Sequence, residues 1–139
     1  MSAFFFASVA YSNSEPSACA LLTNTDVAKA LGTEIESRAS GNTPHARLCI
    51  WHGKPLSAFT SSGELLVLLV TTSSKLQFET QAPPGSVQIR GLGGLAYTAG
   101  GPHTLVIWKN DVAVSFTVTF ASSPVHAAES LAKIVLKHL

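Results

Sequence analysis

Residues 112–120 alternate strictly between apolar and small or polar side chains, and this pattern constrains the fold more than any other feature. Because successive side chains of a strand point to opposite sides, the alternation predicts a strand with one face in a core and one towards water. The preceding run 104–108 is β-branched and aromatic, and Asn110 and Asp111 tolerate the left-handed backbone of a tight turn. The segment therefore predicts a β-hairpin at the centre of an antiparallel sheet.

Helix signals occur towards both ends of the chain. Thr23 can cap a helix that Asp26 completes as a capping box, and Gly32 ends the segment as a left-handed residue. Further along, Ser123 and Pro124 open a longer helix, since proline is tolerated at a first helical position. Its apolar stripe comprises Val125, Ala128, Leu131, Ala132, Val135 and Leu139. We expect this second helix to lie across the apolar face of the central hairpin.

The chain between the two helices supplies the remaining strands. Residues 47–52 predict one strand, and the apolar run 65–72 predicts a central strand covered on both faces. The polar stretch 33–48 contains a loop at 39–44, whereas residues 73–81 fit a strand and a helical turn equally well. The expected fold is α+β, with an antiparallel sheet of about five or six strands, a short N-terminal helix and a longer C-terminal helix packed on it.

Composition and charge exclude two classes of protein. Charged residues make up only 12% of the 139 residues and apolar residues 46%, which is typical of a folded domain with a core. The nine lysines and arginines are scattered singly, whereas a nucleic-acid surface needs clustered cations. No apolar run approaches the roughly 20 residues of a membrane-spanning helix. We therefore expect neither a nucleic-acid partner nor a transmembrane segment.

The first residues suggest export. Residues 3–10 form an apolar run that ends in Ser8-Val9-Ala10, a small-x-small pattern typical of a signal-peptide cleavage site. No basic residue precedes this run, so the alternatives are a start codon assigned too late and a terminal strand rich in phenylalanine. We therefore divide the chain into residues 1–16, a signal-peptide remnant or flexible segment, and residues 17–139, a single α+β domain. The expected location is extracytoplasmic: secreted, periplasmic or in the cell envelope.

The two cysteines, Cys19 and Cys49, bear on the same question. In an exported protein an even pair predicts a disulfide bond, whereas in the cytosol both would be free thiols. A bond between Cys19 and Cys49 would pin the first helix to the sheet. It would close a loop of about 30 residues and contribute roughly 3–4 kcal/mol in the chain-entropy model. The alternative, two unpaired buried thiols, stays open at this point.

Three short motifs occur in a recognisable order. They are Cys-Ala-Leu-Leu-Thr at 19–23, Cys-Ile-Trp at 49–51 and Gly-Leu-Gly at 91–93. In this order they resemble small exported bacterial domains of unknown function that are common in actinobacterial lipoproteins. The resemblance covers residues 17–139 and implies an α+β fold with a disulfide, export from the cytoplasm and no established activity. The chain departs from that group in lacking a clear lipobox before Cys19.

The sequence assigns no catalytic residue, metal or cofactor. Cys49 and His52 have a Cys-x-x-His spacing, but no second pair of ligands has the spacing of a zinc site. Gly91, Gly93 and Gly94 are not followed by the helix start that a phosphate-binding loop requires, so we expect a tight bend there.

The large apolar side chains of the strands favour a binding function. Residues 65–70 and 105–108 place them on both faces. Either the first helix and the N-terminal segment cover the second face, which is the favoured arrangement, or an apolar groove stays open. We expect a non-catalytic exported domain that binds a partner protein or an apolar small molecule. Two alternatives are a small pocket enzyme that uses a histidine base and a purely structural envelope domain. The candidate contacts are Trp51, Tyr97, Trp108, His52 and His103.

Overall fold

The computed structural model describes residues 17–43, 45–53, 64–98, 103–119 and 124–139. The strands are β1 (Ser37–Thr43), β2 (Ala46–His52), β3 (Glu64–Thr72), β4 (Val87–Gln88), β5 (Leu95–Thr98), β6 (Thr104–Lys109) and β7 (Val112–Val118). The helices are α1 (Asn24–Leu31), α2 (Lys75–Thr80) and α3 (Pro124–His138), with a 3₁₀ turn at Ala18–Ala20. The strands form one antiparallel sheet in the order β1-β2-β3-β7-β6-β5-β4. The signal-peptide prediction and the predicted cap at Ser123 lie outside the described residues.

The predicted central hairpin is confirmed. Strands β6 and β7 pair antiparallel, with Ile107 opposite Val114, and β7 occupies the middle of the sheet. Asn110 and Asp111 have φ angles of 52° and 65°, the left-handed conformation that this tight turn requires. Every second side chain of β7, starting at Val112, is buried, so the alternation seen in the sequence is the alternation between core and surface.

Helices α1 and α3 cover the same face of the sheet, which we call the inner face. Helix α3 packs on β6 and β7, as predicted, and α1 packs beside α3. Both helices contribute to the same core, through Val27 and Leu31 of α1 and Leu131 and Val135 of α3. The buried side chains of the inner face are Cys49, Trp51, Leu66, Leu68, Val70, Ala96, Leu105, Ile107, Val112, Val114, Phe116 and Val118.

The predicted beginning and end of α1 are confirmed. The Thr23 hydroxyl accepts a hydrogen bond from the Asp26 N–H at 3.0 Å, and the Asp26 carboxylate accepts one from the Thr23 N–H at 3.0 Å. These reciprocal bonds satisfy two backbone donors at the helix start. Gly32 ends the helix with a φ of 72°, which glycine adopts without a steric penalty.

The sulfur atoms of Cys19 and Cys49 lie 1.99 Å apart, at disulfide-bond distance. Cys19 belongs to the 3₁₀ turn before α1, and Cys49 lies in β2 on the inner face. The bond therefore joins the start of the helical layer to the sheet, as expected. A second link lies nearby, because the Arg38 guanidinium of β1 donates a hydrogen bond to the Cys19 carbonyl at 3.0 Å.

The expected number of strands was too low, since the sheet has seven. The polar stretch that we interpreted as containing a loop forms β1, whose residues are exposed except for the half-buried Gly41. Such a strand lies at the edge of the sheet. Because neither of its faces is buried, its sequence does not alternate between apolar and polar residues. Strand β4, at the opposite edge of the sheet, has only two residues.

The first helix does not cover the second face, contrary to expectation, and the N-terminal segment, the other part of the expected cover, lies outside the described residues. Helix α1 lies beside α3 on the inner face, so it does not form a second layer. Strand β3 consequently alternates: Leu66 and Leu68 have no exposed surface, whereas 37% of Leu69 is exposed. The opposite side of the sheet, here called the outer face, is where the described structure leaves apolar side chains accessible.

Candidate functional site

The outer face combines aliphatic, aromatic and small polar side chains. The register places Tyr97 of β5 opposite Val106 of β6, and Val106 opposite Ser115 of β7. All three side chains are half-buried. Apolar surface that remains accessible on a folded domain often marks a binding site. The outer-face residues are Leu48, Ile50, Val67, Leu69, Thr71, Leu95, Tyr97, Thr104, Val106, Trp108, Ala113, Ser115 and Thr117.

Helix α2 lies over one end of this face. A capping box begins it, because the Ser74 hydroxyl accepts from the Gln77 N–H and the Gln77 side chain accepts from the Ser74 N–H, each at 3.1 Å. Phe78 is only 4% exposed, whereas Leu76 on the same helix is 71% exposed. The Phe78 ring packs on Tyr97, with ring centroids 4.9 Å apart. One aromatic side chain thus provides most of the apolar anchor of α2.

The segment that leads into α2 is fixed by two hydrogen bonds. The Trp108 indole N–H donates to the Ser73 carbonyl at 2.7 Å, and the Ser73 N–H donates to the Asp111 carbonyl at 2.9 Å. Both partners belong to the central hairpin, whose two strands pair in continuous register. The start of α2 is therefore held in place by residues that lie outside the helix itself.

A cavity of about 360 Å³ lies between α2 and the outer face, and we call it the α2 pocket. It is lined by His45, Leu69, Thr71, Thr72, Ser73, Gln77, Phe78, Gln81, Tyr97, Val106, Ala113 and Ser115. Among the described residues that line it there is no Asp, Glu, Lys or Arg. Apolar groups from the sheet and from Phe78 face hydroxyl and amide groups, so the pocket can hold an apolar surface and several hydrogen-bonding groups of one ligand.

A second cavity of about 210 Å³ lies beside the α2 pocket and shares Phe78 and Tyr97 with it. The Phe78–Tyr97 pair therefore lines both cavities. Glu79 lines the second cavity but is not among the described residues that line the α2 pocket.

Tyr97 contributes a neutral phenol to this site. Partial burial raises the pKa of Tyr97 above its ordinary value of 10.0, because desolvation disfavours the phenolate. Among the described residues the hydroxyl has no hydrogen-bond partner, although a phenol can both donate and accept. The hydroxyl is thus free to bond to a ligand.

The five contacts predicted from the sequence do not form one site. Trp51 lies on the inner face with no exposed surface, and its indole N–H donates to the Asn24 side-chain oxygen at 3.1 Å. Tyr97 lines the α2 pocket, and Trp108 fixes the segment before α2. Of the two tryptophans, therefore, one belongs to the core and the other supports the site from outside the pocket lining.

The two candidate histidines lie at the same end of the sheet but on different strands. His52 ends β2, and His103 precedes β6, with β3 and β7 between them. Three strand spacings separate these positions by roughly 14 Å. A ring nitrogen of His103 contacts the Val118 carbonyl at 3.1 Å. Glu64 lies opposite His52, but the described residues include no hydrogen bond or ion pair between the two side chains.

The sequence reasoning missed the site residues Gln77 and Phe78 of α2 and Gln81, which directly follows it. A usable signal was present, because Ser74-x-x-Gln77 is a capping-box pattern that distinguishes a helix from a strand in the ambiguous stretch. The placement of α2 on the outer face has no comparable local signal.

Another cavity, of about 320 Å³, is lined by Lys109, Lys133 and Lys137 together with the glycine-rich bend. The Lys109 ammonium donates to the Leu136 carbonyl at 3.0 Å, at the negative end of α3. Lys109 therefore compensates the negative end of α3. The bend itself is structural: Gly94 packs so closely that a Cβ atom there would lie 2.8 Å from the Trp108 carbonyl oxygen.

Among the described residues, no group of three or more His, Cys, Asp or Glu side chains is placed to hold a metal ion. No described helix is both long enough and apolar enough to cross a bilayer. No protein-family model matches the chain, and no curated protein has a significantly similar sequence.

Proposed function

We propose that the protein is a non-catalytic, extracytoplasmic binding domain whose ligand is an uncharged, amphipathic small molecule. The observation that carries this proposal is the α2 pocket, in which an apolar floor faces uncharged polar groups. Leu69, Val106 and Ala113 supply the floor, while the Gln77 side-chain NH₂ and the amide of Gln81, the residue that follows α2, supply polar groups. Burial of apolar ligand surface provides the affinity, and the polar groups orient the ligand.

The side chains that line the α2 pocket determine which ligand charge it favours. Removing a charged group from water is costly unless an opposite charge or several fixed hydrogen bonds replace the solvent. The described part of the pocket lining offers no Asp, Glu, Lys or Arg for that purpose. Of the described lining residues, His45 and Tyr97 carry titratable side chains, and burial moves the pKa of Tyr97 further above neutral pH. A neutral ligand is therefore favoured over an acid or an amine.

The volume of the pocket limits the size of the ligand. Small-molecule sites in proteins range from about 300 to about 1,000 Å³. At about 360 Å³ the α2 pocket lies near the lower limit, which suits one compact molecule with a ring or a short chain. A single pocket of this size is too small for a lipid with two acyl chains.

Three observations support a location outside the cytoplasm. Cys19 and Cys49 lie at disulfide distance, and disulfides persist in oxidising compartments. Residues 3–10 have the composition of the end of a signal peptide. The order of motifs at 19–23, 49–51 and 91–93 resembles that of small exported bacterial domains.

Binding is tested with Nile red, an uncharged apolar dye, titrated by fluorescence into three proteins. The wild type is compared with Ala113→Phe, in which a ring fills the pocket from β7. Thr117→Phe places the same ring on the same strand and the same face, outside the pocket lining, and is the matched control. We expect saturable binding to wild type and Thr117→Phe, and binding weakened by at least about tenfold in Ala113→Phe.

Equal dye binding by all three proteins would show that the α2 pocket is not the site. Thermal unfolding of both variants checks that they remain folded. Native mass spectrometry of the wild type purified from its host then identifies a bound neutral molecule, which Ala113→Phe should lack.

The location is tested separately by the intact mass of protein exported from its host, with thiol alkylation before and after reduction. Loss of the first residues and alkylation only after reduction are expected. A full-length chain with two freely alkylated thiols would contradict the extracytoplasmic location.

A further inference from the structure

The two edges of the sheet differ in how they are protected against pairing with another strand. Strand β4 ends one edge with only two residues, and Pro83 and Pro84 come shortly before it. Strand β1 forms the other edge with seven residues in continuous register with β2. It contains no proline and no residue with a positive φ angle. Long edge strands are usually protected by proline, charge or a bulge, because their free backbone groups otherwise pair with other chains.

The one charge in β1 does not protect the edge. Arg38 is the only charged residue of the strand, and its guanidinium donates to the Cys19 carbonyl of its own chain at 3.0 Å. The remaining residues are small or polar, and none is bulky. The edge is therefore accessible both to solvent and to a second strand.

The backbone groups of β1 that point away from β2 can be identified from the last residue pair between these two strands. Thr43 pairs with Ala46, and the two residues between them cannot form a further closing pair, so Thr43 and Ala46 exchange the last hydrogen bonds between β1 and β2. Because hydrogen-bonded and non-hydrogen-bonded pairs alternate, every second residue back to Ser37 also bonds to β2. The residues whose N–H and C=O groups point outwards are then Arg38, Ser40 and Asn42.

We propose that a second copy of this protein binds at the edge, with β1 pairing antiparallel to β1 across a two-fold axis at Ser40. Ser40 then faces Ser40 of the second copy, and Arg38 faces Asn42. Each of these pairs exchanges two hydrogen bonds, which gives about six backbone bonds in the interface. The two sheets become one continuous sheet. This proposal is independent of the ligand site and is tested separately from it.

The charge pattern selects this register over its neighbours. An axis at Arg38 would bring two guanidinium groups opposite each other, which is destabilising in a sheet. The axis at Ser40 places each arginine opposite a neutral asparagine and uses every outward backbone group. It also places Ala39 opposite Gly41 in the closer, non-hydrogen-bonded pairs, where small side chains fit without a clash.

The size of the contact predicts a reversible dimer. Stable complexes bury at least about 1,200 Å² in total, and one edge strand of seven residues provides less than that. We therefore expect a monomer–dimer equilibrium that shifts with protein concentration. Sedimentation velocity over a roughly hundredfold concentration range measures this shift directly.

The register is tested by cysteine pairs under mild oxidation of the full chain. Ala39→Cys and Gly41→Cys should cross-link with each other, because a non-hydrogen-bonded pair has its Cα atoms about 4.5 Å apart, within disulfide range. Neither variant should cross-link efficiently with itself, since its own cysteines lie on a diagonal about 7–8 Å apart. We expect at least about fivefold more disulfide dimer in the mixture than in either variant alone. Peptide mapping checks that the Cys19–Cys49 bond is intact.

Two further variants test whether the backbone of β1 makes the contact. Ser40→Pro removes an outward N–H and leaves the bonds to β2, so it should stay monomeric at concentrations where wild type dimerises. Ser40→Thr keeps the N–H and is the matched control, which should still dimerise. A wild type that is monomeric throughout, or cross-linking that is equal in single variants and mixture, would overturn the proposal.

Discussion

Phe78 and Tyr97 pack with ring centroids 4.9 Å apart and ring planes inclined at 45°, and this contact joins α2 to the outer face of the sheet. A helix of six residues is too short to be stable in isolation, so its position depends on such a contact and on its capping box. The same two rings line both neighbouring cavities. The position of α2 and the shape of the α2 pocket therefore both depend on this pair of rings, in addition to the hydrogen bonds that hold Ser73.

We predict that Phe78→Ala releases α2 from the sheet. The side chain is only 4% exposed, and truncating a buried phenylalanine costs about 3–5 kcal/mol in protein cores. Because a short helix can detach locally, we expect the lower end, about 3 kcal/mol, in the free energy of unfolding measured with urea. Hydrogen exchange of the α2 amides should accelerate before that of β7. Leu76→Ala is the matched control on the same helix, and a loss there equal to that in Phe78→Ala would contradict this role of Phe78.

Stability at alkaline pH should depend on Tyr97. Because burial raises its pKa above 10.0, the folded state holds the phenol proton more tightly than the unfolded chain does. Below about pH 10 the phenol is protonated in both states, and its full contribution to the free energy of unfolding is present. Above that pH the unfolded chain ionises first. Stability therefore falls as the pH rises through the folded-state pKa. Urea unfolding between about pH 8 and pH 11 should therefore show a steeper decline for wild type than for Tyr97→Phe. Parallel declines would mean that Tyr97 ionises equally in both states.

The elements predicted correctly from the sequence are those whose signals are local. The turn at Asn110 and Asp111, the capping box of Thr23 and Asp26, and the terminal glycine of α1 each depend on residues close in sequence. Strand β1 has no such signal, because a strand exposed on both sides needs no apolar periodicity. Its position follows from pairing with β2, which no pattern within residues 37–43 reveals.

The site was harder to predict because it depends on which face each helix covers. The continuous apolar runs of β3 and β6 show that both faces of the sheet carry apolar residues, but not that α1 and α3 cover the same face. Trp51 and Trp108 illustrate the difficulty. Both are tryptophans within strands, yet one is fully buried on the inner face and the other lies half-buried on the outer face.

Trp51 should act as a structural residue that couples β2 to α1. Its indole N–H donates to the Asn24 side chain at 3.1 Å, at the first turn of α1. A double-mutant cycle with Trp51→Phe and Asn24→Ala should give a coupling free energy of about 0.5–1.5 kcal/mol in urea unfolding, the usual net value of one hydrogen bond. Additivity of the two single losses would mean that the hydrogen bond does not contribute to stability.

Removing the link between Cys19 and Cys49 should destabilise the whole domain. The two residues are 30 positions apart, and closing a loop of this length contributes about 3–4 kcal/mol in the chain-entropy model. The double variant Cys19→Ala/Cys49→Ala should lose about this much in the free energy of unfolding, and the cavity left at the fully buried Cys49 adds to the loss. Reduction of wild type with dithiothreitol is the control without a sequence change. It should lower the urea midpoint of wild type and leave that of the double variant unchanged, whereas no effect on wild type would show that the two cysteines are not bonded in solution.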